Sequence, residues 1–299
     1  MKKNELLNVA VTRLKENNIP DAEDSALRLL AHILSIDYSK LCLQENVKDE
    51  VVDDYLALID SRCNHVPLDR LIGYKYFFQV KIPFNKSVLT PRYETELLVE
   101  RVIIDIKNKY SQTRINLPFE PLTVLDMCTG SGCVGLAIAW ETGANVTMVD
   151  ISKNVINIAK ENCELNNELR NEQGLPPINP TFLVSDMFEN INCKYDIIVC
   201  NPPYIKSTEL NKLEIEVRDF DPVLALDGGK DGLDFYRNIS KNAHKYLKDS
   251  GVLYLEVGYD QAEKVAKMLC KNFENIEIKK DLANIDRFII AKKREKNVK

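Results

Sequence analysis

Beyond residue 121 the chain alternates short apolar runs with stretches of helical period, and that alternation restricts the fold more than any other feature. Residues 123–126, 145–149, 182–184, 196–199 and 252–257 are short and apolar, as strands buried on both faces must be. Apolar residues recur at helical spacing over 134–141, 152–165, 233–247 and 261–272, and further strands are expected near Ile276 and Phe288. Repeated strand–helix units of this kind imply an α/β fold, a doubly wound and mostly parallel sheet with right-handed crossovers. The first 65 residues differ. Leu6, Val9, Ala10 and Leu14 form one apolar stripe, Ala22, Ala26, Leu29, Leu30 and Ile33 a second, and Val47, Val51, Tyr55, Leu58 and Ile59 a third. These predict a small helical bundle, with Asp21 capping its second helix. Alternation at Phe78, Val80, Ile82 and Phe84 predicts a β-hairpin. A helix is expected from Pro91 to about Lys109, with Glu94 and Glu96 early in it where acids suit the helix dipole. The expected organisation is a helical domain over 1–66, a hairpin linker over 67–91 and an α/β domain over 92–299.

Composition narrows the function classes. Forty basic against 45 acidic residues give a net charge of −5, a poor match to a chain that grips nucleic acid by its backbone charge. The N-terminal residues lack the apolar core of a signal peptide, and no run of about 18 apolar residues exists to span a membrane. The eight cysteines (42, 63, 128, 133, 163, 193, 200 and 270) include no C-x-x-C pair, and no histidine stands near a cluster of them. They read as reduced thiols of a cytoplasmic protein rather than disulfides or zinc ligands. The basic tail from Lys292 to Lys296 reads as a solvated, frayed terminus.

The loop Asp126-Met127-Cys128-Thr129-Gly130-Ser131-Gly132-Cys133-Val134-Gly135 follows a strand and opens a helix. Glycines there let the backbone turn sharply and approach a ligand closely. Gly130, Gly132 and Gly135 match G-x-G-x-x-G, and Asp150 ends the next strand, so on the glycines alone a dinucleotide such as NAD stays open. Two features favour S-adenosylmethionine. Asp126 before the loop is awkward for a pyrophosphate but suits an ammonium or sulfonium. Asp186, after the third strand, is placed to accept from an adenine amino group, with Met187 against the ring and Asp150 on the ribose hydroxyls.

Asn201-Pro202-Pro203-Tyr204 follows strand 196–200, at the strand ends that line the ligand crevice of such a sheet. This motif suits a planar nitrogen substrate. The Asn201 side-chain oxygen and the Pro202 carbonyl can each accept one N–H of an NH₂ group, turning its face toward a methyl donor. Proline rigidity in Pro202 and Pro203 keeps the carbonyl aimed, and Tyr204 can pack on the flat group. An amide nitrogen is a weak nucleophile, so positioning and exclusion of water must do most of the work.

With these motifs in view, the chain resembles the release factor glutamine methyltransferases over roughly residues 5–293. Further stretches carry the resemblance: Pro91-Arg92-Tyr93-Glu94-Thr95-Glu96, Glu216-Val217-Arg218-Asp219-Phe220-Asp221-Pro222, residues 224–233, Glu256-Val257-Gly258 and residues 281–287. The resemblance implies a class I S-adenosylmethionine-dependent methyltransferase domain behind a small helical domain and hairpin. It implies a cytoplasmic enzyme that methylates the side-chain amide of the Gly-Gly-Gln glutamine in class I peptide chain release factors. No membrane or direct nucleic-acid partner is expected, and no metal; a monomer is. Asn201 to Tyr204 would hold the glutamine. Cys128, Thr129, Gly130, Ser131, Gly132, Asp150 and Met187 would line the cofactor, with Asn201 shared. Glutamine of a ribosomal protein and adenine N6 of a nucleic acid are the rival substrates. Cys128 stands where the family commonly has glycine, which requires a backbone there that tolerates a side chain. Residues 205–232 are expected to form a wall of the peptide pocket.

Overall fold

A computed structural model describes residues 1–113 and 121–295, and the chain divides into two compact units. The smaller comprises Met1–Lys75 and Leu213–Phe220, the larger Tyr76–Lys212 and Asp221–Lys299. Lys296, at the end of the basic tail, lies outside the described residues. No helix among the described residues is long and apolar enough to cross a membrane.

In the smaller unit, α1 (Lys3–Glu16), α2 (Ala22–Ile33) and α3 (Asp49–Cys63) pack the expected stripes against one another, except that Val9 of the first stripe is exposed. Short α4 (Leu68–Ile72) was not legible in advance; Gly73 ends it in the left-handed conformation, φ +88°. Asp21 does not cap α2 with its side chain. It accepts instead from Ser25 Oγ at 2.9 Å and from the buried Arg62 guanidinium at 2.7 Å. Arg62 also donates to Glu216 at 2.7 Å, to Ser25 Oγ at 3.1 Å and to the Val66 carbonyl at 3.2 Å. Residues 213–220 belong to this unit through that contact. Removing Arg62 strands two carboxylates at once. Arg62→Ala is expected to cost about 3 kcal/mol, the low end for a broken buried pair because both acids keep some water. Urea unfolding of the full chain with an unchanged midpoint would contradict this.

The hairpin pairs β1 (Tyr74–Phe77) with β2 (Val80–Pro83), so its turn is Phe78-Gln79. The larger unit then runs α5 (Tyr93–Thr113), β3 (Thr123–Met127), α6 (Cys133–Thr142), β4 (Asn145–Asp150), α7 (Lys153–Glu172), β5 (Thr181–Val184) and β6 (Tyr195–Cys200). After α8 (Ile215–Arg218) of the smaller unit come α9 (Asp234–Tyr246), β7 (Leu247–Glu256), α10 (Ala262–Leu269), β8 (Phe273–Lys280) and β9 (Asp286–Lys293). The seven-stranded sheet has the order β5-β4-β3-β6-β7-β9-β8. Its first five strands are parallel, and β9 and β8 are antiparallel additions. The expected mostly parallel α/β sheet is thus what forms.

Strand parity sorts the core. Val124, Val146, Met148, Ile197 and Val199 face α5 and α6, and Leu125, Met127, Ile198, Cys200 and Leu253 face α9 and α10. The chain order turns back between β3 and β6, where Met127 pairs with Cys200. The carboxyl ends of these two strands open a crevice there, and residues 128 and 201 leave it side by side. The tail is not frayed over its described length. β9 continues to Lys293, whose ammonium donates to the Leu247 carbonyl at 2.8 Å, and Arg294 donates to Cys270 and Phe273 carbonyls.

Candidate active site

A cavity of about 320 Å³ occupies this crevice, within the range of small-molecule sites. Cys128, Thr129, Gly130 and Ser131 line it from the glycine loop, Asp150 and Ile151 from the end of β4, and Asp186 and Met187 from the end of β5. Thr95, Asn201, Pro203 and Leu224 complete the far side. Of the sequence candidates, Asp126, Gly132, Pro202 and Tyr204 stand behind this lining rather than in it.

Asp126 requires a correction. Parity places it on the α6 side of β3, not in the crevice, and it is 1% exposed. Its Oδ2 accepts from Thr129 Oγ1 at 2.5 Å and from the Gly135 N–H at 2.9 Å. It therefore satisfies the amino end of α6, where Gly132 supplies no capping side chain. Burial pushes its carboxyl up to about 7, against the pull of those two donors. Asp126 holds the loop; it is not positioned to meet a bound cation. Gly135 is needed beside it, since a Cβ there would lie 2.4 Å from Met148 Cε and 2.9 Å from Asp126 Oδ2.

The loop itself turns through left-handed backbone at Cys128 (φ +59°), Gly130 (φ +56°) and Gly132 (φ +84°). Cys128 is thus not in a conformation that readily accepts a side chain, contrary to the sequence expectation; the strain is about 1 kcal/mol. A Cβ on Gly130 would meet no atom within 4 Å, so its backbone faces open space at the cavity wall. The Gly130 N–H donates to Asp150 Oδ2 at 3.1 Å, and the Ser152 N–H to Oδ1 at 3.1 Å. Burial raises the Asp150 carboxyl despite these donors. Asn162 on α7 braces the loop, donating to the Ser131 carbonyl at 2.8 Å. Cys200 and Cys133 flank the site as neutral thiols. Burial raises both, Cys133 to about 12 and Cys200 well above its usual value, where Cys128 adds to the effect.

Asn201 leaves β6 with its Nδ2 donating to Thr95 Oγ1 at 3.0 Å. Thr95, on the first turn of α5, donates in turn to Glu256 Oε2 at 2.7 Å. Tyr204 OH donates to the other Glu256 oxygen at 3.2 Å. Burial, with Glu256 beside it, holds the Tyr204 phenol above its usual range, so it stays a neutral donor. Gln261 fixes the motif's backbone: its Nε2 donates to the Tyr204 carbonyl at 2.8 Å and the Gly232 carbonyl at 3.1 Å. Gly228 and Gly232 press against Tyr204, where Cβ atoms would fall 2.7 Å from its Cα and 2.4 Å from its carbonyl. Asp221 accepts from the Thr90 N–H at 3.2 Å, Thr90 Oγ1 at 3.1 Å and the Arg92 guanidinium, joining the entry of α5 to the segment carrying Pro222 and Leu224. Residues 205–232 are therefore divided: Pro222, Leu224 and Ala225 line the cavity, Gly228 and Gly232 back Tyr204, and 213–220 belong to the helical unit. Thr95, Glu256 and Gln261 were not among the sequence candidates for the site.

Comparison with known proteins agrees with this layout. Residues 5–73 match the PrmC N-terminal domain and residues 114–217 the methyltransferase small domain. A release factor glutamine methyltransferase of Thermodesulfovibrio yellowstonii is 38% identical over 92% of this chain and 93% of its own. One from Clostridium acetobutylicum is 34% identical over 97% and 98%. Among solved structures, a methyltransferase of Pyrococcus furiosus shares the fold, with a TM-score of 0.51 at 16% identity over 81% of this chain and 99% of that one. With a cavity at the sheet's turning point, an Asn-Pro-Pro-Tyr motif beside its glycine loop and relatives matched end to end, the chain belongs to the release factor glutamine methyltransferase family.

Proposed function

We propose that this chain transfers a methyl group from S-adenosylmethionine to the side-chain amide nitrogen of the glutamine in the Gly-Gly-Gln loop of class I peptide chain release factors. The supporting observation is that Asn201 and the glycine loop share one cavity, since β3 and β6 pair through Met127 and Cys200. The lining suits the donor. Among the described residues it carries the carboxylates of Asp150 and Asp186 and one cation, Arg92, which is bound to Asp221. That favours a ligand with an ammonium and a sulfonium over one with a pyrophosphate.

In this reading the Cys128–Ser131 backbone, Asp150 at the ribose, Asp186 at the adenine amino group and Met187 against the ring hold the donor. When bound, it supplies an electrophilic methyl on a sulfonium. Asn201 Oδ1 and the Pro202 carbonyl accept the two N–H groups of the glutamine amide and turn the nitrogen's face toward that methyl. No base need act first, because the N–H becomes acidic once the nitrogen is alkylated. Pro222 and Leu224 give the cavity an apolar edge, and most of the rate comes from orientation. The helical unit would contribute contacts to the release factor, and a monomer acting in the cytoplasm suffices.

The test presents labelled donor to a release factor, to a glutamine-bearing ribosomal protein and to an adenine-containing oligonucleotide. Label is expected in the release factor alone. Label in either of the others with none in the release factor would overturn the proposal.

A further inference from the structure

We infer that Thr95 and Glu256 are positioning residues that set which end of the Asn201 amide faces the substrate; this rests on the methyltransferase reading above. An asparagine amide can be turned either way about its last bond, and only one orientation presents an acceptor to a substrate N–H. The chain of hydrogen bonds removes the choice. Ionised Glu256 can only accept, so the Thr95 hydroxyl must donate to it, at 2.7 Å. The Thr95 oxygen then offers only lone pairs toward Asn201, which must answer with its NH₂, at 3.0 Å. Asn201 Oδ1 is left as the acceptor for the glutamine amide. Tyr204 OH takes the second carboxylate oxygen at 3.2 Å, so one buried group orders both ends of the motif.

The network is buried behind the cavity wall that Thr95 and Asn201 help to form. Thr95 is 3% and Glu256 1% exposed. The groups facing the Glu256 carboxylate are Thr95 and Glu94 from α5, Tyr204 after β6 and Arg287 from β9, while Tyr236 of α9 donates to its backbone carbonyl. Burial raises Glu256 to about 6, with Thr95, Arg287 and Tyr204 pulling down and Glu94 pushing up. Above that pH the carboxylate only accepts. Below it, a protonated Glu256 can donate to Thr95, the hydroxyl can reverse, and the Asn201 amide can turn its NH₂ toward the substrate. Activity therefore falls as the pH drops through about 6.

Three variants test this in methyl transfer to a release factor. Thr95→Val keeps shape and removes the hydroxyl; kcat should fall about 10- to 100-fold, the scale of a small misorientation, with KM for the release factor little changed. Thr95→Ser should recover most of the loss. Glu256→Gln keeps an acceptor for Thr95 but cannot ionise, so the acidic limb near pH 6 should vanish while kcat at neutral pH drops less than in Thr95→Val. A second arm needs no turnover. The Asn201 side-chain NH₂ resonances should titrate with a midpoint near pH 6 in the parent chain and not in Glu256→Gln. Full activity in a folded Thr95→Val, or Asn201 resonances that ignore Glu256, would overturn the inference. A parent chain that labels no glutamine yet shows the Asn201 titration would sink the methyltransferase reading and leave the relay standing.

Discussion

Replacing Asn201 by alanine is expected to abolish methyl transfer to about one part in a thousand while leaving donor binding largely intact. The size follows from what the side chain does. It is the one side-chain acceptor that the Asn201–Tyr204 motif presents at the cavity wall, and loss of a preorganised polar contact at a reacting centre costs about 10²–10³ in rate. Loss of orientation adds to it, because a planar amide held by the Pro202 carbonyl alone is free to rotate. Most of the groups assigned to the donor, on the 128–131 backbone, Asp150, Asp186 and Met187, lie elsewhere on the wall. Single-turnover transfer and calorimetry with S-adenosylhomocysteine separate the two effects. Unchanged turnover would mean that another group holds the substrate nitrogen; lost donor binding would mean that Asn201 belongs mainly to the cofactor site.

Gly232→Ala should give the next largest loss, about tenfold smaller than that of Asn201→Ala, without touching a reacting group. Gly232 sits at φ +75°, and a Cβ there would lie 2.4 Å from the Tyr204 carbonyl and 2.6 Å from Gln261 Nε2. Both contacts belong to the clamp in which Gln261 holds Tyr204 and Gly232 together. The backbone of Asn201–Tyr204 must move to make room, and a displacement of about 1 Å at a positioned substrate costs about 100-fold. We expect kcat to fall by that factor. The strained φ adds about 1–2 kcal/mol of destabilisation. Gly174 is the control: at φ +70° it has nothing within 4 Å of its Cβ position. Gly174→Ala should therefore show the strain cost with unchanged kcat, measured by thermal melting and initial rates. Equal kcat losses in the two variants would show that strain rather than the Tyr204 contact is responsible.

Much of the fold was legible because hydrophobic pattern and burial agree in the central strands. β3, β4 and β6 are apolar runs that the sheet covers on both faces. Pattern misleads where polar residues are buried. α7 runs on to Glu172 rather than ending near Leu165, because Asn162, Asn166 and Arg170 lie on its buried face. Asn166 pairs with both backbone groups of Lys81 on β2, at 2.9 and 2.7 Å, and Arg170 lies over the Trp140 ring. An apolar-period reading counts such residues as solvent-facing and stops too soon. β7 starts earlier than expected for a related reason: Lys248, Asp249 and Ser250 are exposed and polar, yet Leu247 already pairs with Tyr195 across a register shift.

The site divides in the same way. Asn201 and the glycine loop could be found because their chemistry is local, carried by adjacent residues at strand ends. Asp126, read as an acid before the loop that suits a cation, is instead turned by its parity in β3 toward Thr129 and the start of α6. Thr95 and Glu256 lie in stretches that carry the family resemblance, but nothing local in the sequence gave them or Gln261 a role in the site. Each is a buried polar residue whose partners come from distant segments, Thr95 and Glu256 lying 161 positions apart. Only the folded chain shows that Thr95 and Glu256 reach Asn201 and that Gln261 holds the Tyr204 backbone.

The most direct measurement is mass spectrometry of release-factor peptides after reaction with saturating S-adenosylmethionine. The peptide holding the Gly-Gly-Gln loop should gain the mass of one methylene, located by fragmentation on the glutamine side chain, and should gain none with the Asn201→Ala variant. An unmodified glutamine, or a methyl group on any other residue, would contradict the function proposed for this site.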